Sequence, residues 1–93
     1  MDTDTVYREF PLGKGKNGFI RVWDENVLVS DLVWHRDKET RVVEVMEAGG
    51  WWFQTDNNPP IKFEKGMKYT IPKMVYHRLI KGQFDLVLRI KEV

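Results

Sequence analysis

Turn-forming residues interrupt this chain so often that every element between them must be short. Asp24-Glu25-Asn26, Gly49-Gly50, Asp56-Asn57-Asn58-Pro59-Pro60, Lys65-Gly66, Pro72 and Lys81-Gly82-Gln83 all combine residues that bend or break the backbone. The runs they leave are Gly18–Trp23, Val27–Trp34, Arg41–Glu47, Trp51–Gln54, Ile61–Glu64, Met67–Ile71, Met74–Ile80 and Phe84–Lys91. They are rich in β-branched, aliphatic and aromatic residues. The last alternates cleanly, with Phe84, Leu86, Leu88 and Ile90 on one face and Asp85, Val87, Arg89 and Lys91 on the other. Glu39 to Ala48 also fits a helical stripe through Val42, Val43, Val45 and Met46, but valines at 42, 43 and 45 favour a strand. Short strands at this spacing predict an all-β fold, a sandwich or barrel of about eight strands.

The length of 93 residues allows one domain. Residues 1–17 read as an N-terminal arm with a mobile Gly/Lys loop, and 18–93 as the β domain. Gly13-Lys14-Gly15-Lys16-Asn17-Gly18 has the letters of a dinucleotide-binding glycine loop, but Phe19-Ile20 opens a β-like run where that motif needs a helix. It reads instead as a turn or mobile loop. The absence of cysteine excludes disulfides and thiolate metal sites. A net charge of +1, with acids beside every basic cluster, argues against nucleic acid. No apolar run has membrane-spanning length, and Met1-Asp2-Thr3-Asp4-Thr5 lacks a signal-peptide pattern, so a cytoplasmic location is expected. Four Trp, five Phe and three Tyr in so small a chain point to dense aromatic packing or self-association.

Only two histidines are present. His77 shares a strand face with Val75 and Leu79, which makes it either a core histidine or a metal ligand. If the run from Val27 continues past Trp34, then His35, Asp37, Glu39 and Arg41 share a face with Val33. A His-any-Asp pair with a distal histidine is the donor set of a two-His, one-carboxylate facial site for a divalent transition metal. The other reading of His35-Arg36-Asp37-Lys38-Glu39 is a solvated charged turn. Asp37 lies nearer His35 than Glu39 does, by roughly 6–7 Å of strand rise, and is the expected anionic ligand.

Gly66, Pro72 and His77 resemble the second sequence motif of the cupins, which runs Gly, five residues, Pro, any, Gly, two residues, His, three residues, Asn. Met74 stands at its inner glycine and Lys81 at its asparagine. In the first cupin motif His35 fits the first histidine and Gly49 the closing glycine. Val29 stands at the opening glycine, Asp37 at the second histidine, and Arg41 or Val42 at the glutamate. The resemblance covers Val27 to Val93. It implies a cupin-type jelly-roll barrel in which His35, Asp37 and His77 hold one divalent transition metal (Fe, Mn, Ni or Zn), with Glu39 or Gln54 as substitutes for the missing glutamate oxygen.

Such a chain is expected to bind or act on a small molecule, through dioxygenase- or isomerase-type chemistry. The alternative is a metal-free cupin serving as a small-molecule binding or homodimeric interaction module. Arg41, Trp52, Gln54 and Tyr69 are the expected ligand-binding residues. Arg41 would grip a carboxylate or phosphate, or else form a surface salt bridge with Glu39 or Glu44. Trp52 and Gln54 lie opposite Trp51 and Phe53, so only one of these pairs lines the barrel. A homodimer is also expected, with Val6-Tyr7-Arg8-Glu9-Phe10 as the segment that crosses to a partner. His35, Asp37 and His77 resemble the iron ligands of 2-oxoglutarate-dependent oxygenases too, but Arg89 is off the usual spacing and the chain lacks room for their buttressing helices.

Overall fold

The structure, a computed structural model, describes residues 6–13 and 17–93. The first five residues and Lys14-Gly15-Lys16 of the expected Gly/Lys loop lie outside the described residues. Eight strands follow in order: β1 Arg8–Pro11, β2 Phe19–Trp23, β3 Arg41–Glu47, β4 Trp52–Thr55, β5 Ile61–Lys62, β6 Lys68–Ile71, β7 His77–Ile80 and β8 Leu86–Glu92. They form a five-stranded sheet of order β1-β2-β8-β3-β6 and a three-stranded sheet of order β5-β4-β7. Every pairing is antiparallel. This is the all-β architecture the turn signals predict.

The core lies between the sheets. β3 and β8 run side by side at the centre of the larger sheet, and Val43, Val45, Leu86, Leu88 and Ile90 project inward from alternate positions. Trp51, Phe53 and Phe63 meet them from the smaller sheet, with the Phe53 and Phe63 rings stacked 5.8 Å apart. Trp51 is fully buried, and its ring N–H is satisfied by donating to the Phe84 carbonyl at 2.6 Å. The ladder shifts register between Val45 and Glu47, a bulge that turns Met46 outward. Arg41–Glu47 is a strand and not a helix, as its valines predict.

Two sequence expectations fail here. Val27–Trp34 is not a strand. Val27 is buried, Val29–Asp31 forms a 3-10 turn, and Leu28, Val29, Val33 and Trp34 are exposed. The Val27 carbonyl accepts from Lys81 Nζ at 2.7 Å in place of a ladder partner, and Asp31 and Leu32 donate back to Leu28 and Val29. Phe84, expected to share the face of Leu86, lies before β8 starts and is exposed. Arg8–Pro11, within the expected arm, pairs with β2 of its own chain.

The link from β6 to β7 positions the site. Pro72 ends β6, and Met74 takes a left-handed conformation with φ 65°. This is the position where the cupin motif has glycine, which enters that region without a Cβ penalty. The Met74 N–H donates to the Asp37 carbonyl at 2.7 Å and so ties the His35–Asp37 segment to the approach of β7. Met74 is 47% exposed and packs little. Met74→Gly should therefore raise unfolding stability by up to about 1 kcal/mol, the left-handed penalty less the entropy of a glycine. Met74→Ala should stay near zero. Urea unfolding of the two variants checks this, and a Gly variant less stable than the Ala variant would show that φ at residue 74 carries no strain.

Candidate metal centre

His35 and His77 exchange two backbone hydrogen bonds, His35 N–H to His77 O at 3.0 Å and His77 N–H to His35 O at 2.8 Å. Residues paired this way in an antiparallel bridge send their side chains to the same face. The imidazoles accordingly meet edge to face with centroids 4.3 Å apart. His77 is only 4% exposed, against Phe53 and the core, whereas His35 reaches the open side. The strand does not continue past His35 as expected. The chain bends at Lys38-Glu39, so Asp37 turns inward while Glu39 is exposed.

One ligand atom from each of His35, Asp37 and His77 falls within 4.8 Å of the others. Each imidazole has its Nδ1 beside the carbonyl two residues earlier, His35 to Val33 at 3.1 Å and His77 to Val75 at 3.0 Å. A carbonyl oxygen only accepts, so both Nδ1 atoms carry a proton, and in the neutral form of each ring Nε2 is the free nitrogen. His77 Nε2 faces Asp37 Oδ2 at 3.4 Å, and that oxygen is buried without a hydrogen-bond partner. Burial pushes the His77 pKa below its ordinary 6.5, and the neighbouring His35 ring and Arg41 add to this, against the opposing pull of the Val75 carbonyl and Asp37. The buried, unpartnered Asp37 Oδ2, the buried His77 ring and the exposed His35 ring together offer a donor set for a cation. Two imidazole nitrogens and one carboxylate oxygen fit a divalent transition ion.

Arg41, which with Val42 is one of the two residues that fit the cupin glutamate position, supplies no oxygen. It holds the outer side of Asp37, with Nη1 3.4 Å from Oδ1, while its Nε and Nη2 donate to Glu92 Oε2 at 3.2 and 2.9 Å. Its partners are therefore Asp37 and Glu92, and neither Glu39 nor Glu44. His35 and Asp37 border a recess of about 380 Å³, whose wall includes Tyr7, Arg21, Trp23, Leu32 and Arg41, while His77 borders only the smaller space next to it. That space, of about 50 Å³, is also bordered by Tyr69 and Phe53.

Trp52 and Gln54 do not join this recess. On β4 the buried residue is Phe53, which leaves Trp52 39% exposed on the outer face. Gln54 spends its amide on Asn58 O and accepts from Arg78 at 2.9 Å, so it supplies no oxygen to the triad. The reason is that Trp51 closes the Gly49-Gly50 turn as a core residue, which sets the parity of the strand. Conversely, Arg21 and Trp23 line the recess, and sequence reasoning does not single them out. The signal that marks them is their shared parity with Phe19 on β2.

No protein-family profile and no curated protein sequence matches this chain. Solved structures do. The DMSP lyase DddQ from Ruegeria pomeroyi DSS-3 superposes with a TM-score of 0.71 at 14% identity, over 94% of this chain and 47% of that one. A mannose-6-phosphate isomerase-like protein from Ralstonia eutropha JMP134 gives 0.65 at 17% identity, over 92% and 82%. A cupin-2 domain protein from Shewanella frigidimarina NCIMB 400 gives 0.62 at 19% identity, over 91% and 79%. The chain thus spans less than half of the DMSP lyase DddQ, and 36% of another DMSP lyase structure. With two antiparallel sheets packed around one core and these structural neighbours, the chain has the cupin jelly-roll fold.

Proposed function

We propose that the chain binds one divalent transition metal (iron, manganese, nickel or zinc) through His35, Asp37 and His77, and a small molecule in the recess above it. The observation that carries this reading is the buried, unpartnered Asp37 Oδ2 facing a histidine whose other ring nitrogen is already committed. Such an ion, when bound, supplies Lewis acidity toward an oxygen donor. The chain's own residues do the rest. The Val33 and Val75 carbonyls fix the imidazole tautomers, Arg41 fixes the Asp37 carboxylate, and Phe53, Leu79 and Trp23 keep the floor apolar.

Turnover of isomerase or dioxygenase type is the finer reading. The names of two neighbours, a DMSP lyase and a mannose-6-phosphate isomerase-like protein, support non-oxidative chemistry. Arg41 favours a second reading, a metal-free binding module, because its guanidinium offsets part of the Asp37 charge without an ion.

Elemental analysis of tag-free protein separates the two. About one equivalent of metal per chain is expected, absent from His35→Ala and His77→Ala. Asp37→Ala should weaken affinity by about tenfold or more, since even groups that only orient a ligand cost on the order of tenfold when removed. Glu39→Ala should change little. Metal content indifferent to both histidine variants would overturn the site assignment, and protein that no such ion will load would support the metal-free reading.

The site is also proposed to work within a homodimer. β1 is an outer edge of the larger sheet, all four of its residues are exposed, and Phe10 is 48% exposed. Unpaired edges of this kind invite strand pairing with a second copy. Light scattering at high micromolar concentration should give twice the chain mass, and a monomer there would end the proposal.

A further inference from the structure

We propose that the recess takes a small monocarboxylate with an apolar body, its carboxylate held by Arg21. This rests on the reading of the recess as a small-molecule site and adds the class of molecule and the residue that selects it. Arg21 lies at the centre of β2 and borders both the recess and the space beneath it. Its guanidinium carbon sits 4.1 Å from the Tyr7 ring centroid and 4.9 Å from that of Phe19. Nε donates to Glu9 Oε2 at 2.7 Å, and the two Nη groups make no hydrogen bond among the described residues. The side chain is 15% exposed.

This differs from Arg41, whose donors are spent on Glu92 and Asp37. Aromatic stacking and the Glu9 bond fix the plane of the Arg21 guanidinium before any ligand arrives, so little rotamer entropy remains to be lost on binding. A planar pair of N–H donors in a nearly dry wall matches a carboxylate. The rest of the wall asks for an apolar body: Val6, Trp23, Leu32, Val33 and Leu79 border the recess. Its volume of about 380 Å³ lies at the small end of ligand pockets, which run from about 300 to 1,000 Å³. Asp31 on the same wall opposes a second negative charge, which limits the ligand to one carboxylate.

The probes are isovalerate and its neutral amide isovaleramide, titrated into zinc-loaded full-length protein and followed by NMR. The acid is expected to bind about tenfold tighter than the amide or better, as charge-assisted bonds to a fixed guanidinium imply. Arg21→Gln should abolish that preference and leave zinc content unchanged. Intermolecular NOEs from the isovalerate methylene to the Tyr7 ring are expected in the wild type, which keeps the test independent of how the variant folds. Equal affinity for acid and amide, full preference retained in Arg21→Gln, or bound isovalerate without contacts to Tyr7 would each overturn the assignment. If the wild type takes up no zinc, the metal reading fails. The acid–amide comparison on that metal-free protein then still decides the role of Arg21.

Discussion

The reciprocal pair of backbone hydrogen bonds between His35 and His77 is the interaction on which the site depends. It is an isolated bridge, outside any regular strand on the His35 side, yet it fixes three things together. It holds the His35–Asp37 segment against the edge of the smaller sheet. It aims both imidazoles at one side. It also brings Asp37, two residues on, against the ring of a histidine 40 positions further along the chain. The Met74 N–H bond to the Asp37 carbonyl secures the far end of the same segment. Without these backbone bonds the His35–Asp37 stretch would be the solvated charged turn its composition suggests.

Around that frame the charges alternate. Glu92 holds Arg41, Arg41 holds the Oδ1 side of Asp37, and Oδ2 is left facing His77. Arg41 and Asp37 are each about 15% exposed, so the pairing is only partly screened by water and holds the carboxylate in one rotamer. A protonated His77 would satisfy Oδ2, but burial disfavours that charge. The geometry thus leaves Asp37 Oδ2 unmatched beside the buried His77 ring, with the exposed His35 ring on the open side of the same group. That mismatch is the physical content of the proposed metal centre, and Arg41 positions its one carboxylate.

Sequence patterning located most of the fold, because alternation and turn residues are local properties. Arg41–Glu47 and Leu86–Glu92 can be read directly from their β-branched and aliphatic periodicity. Val27–Trp34 misleads because its aliphatic residues look like a strand. Its carbonyls are instead taken by the Asp31 and Leu32 N–H groups within the segment and by the distant Lys81, in place of a neighbouring strand. Parity along β4 is legible, but which face turns inward is not, since the burial of Trp51 depends on the Phe84 carbonyl 33 residues later. The spacing of His35, Asp37 and His77 pointed to a shared face, yet the bend at Lys38-Glu39 that separates Asp37 from Glu39 is not encoded by strand rules. Arg21 could not be distinguished from a surface cation, because its place in the recess follows from β2 lying between β1 and β8.

The central claim is that both imidazoles are held as Nδ1–H tautomers with Nε2 presented to a common ion. Long-range proton–nitrogen NMR on histidine-labelled protein tests it most directly, because it reports each ring nitrogen separately. In metal-free protein above neutral pH, His35 and His77 should both show the Nδ1–H pattern, and zinc should shift the two Nε2 resonances while leaving each Nδ1 protonated. An Nε2–H tautomer at either histidine, or zinc titration that moves neither Nε2, would contradict the account.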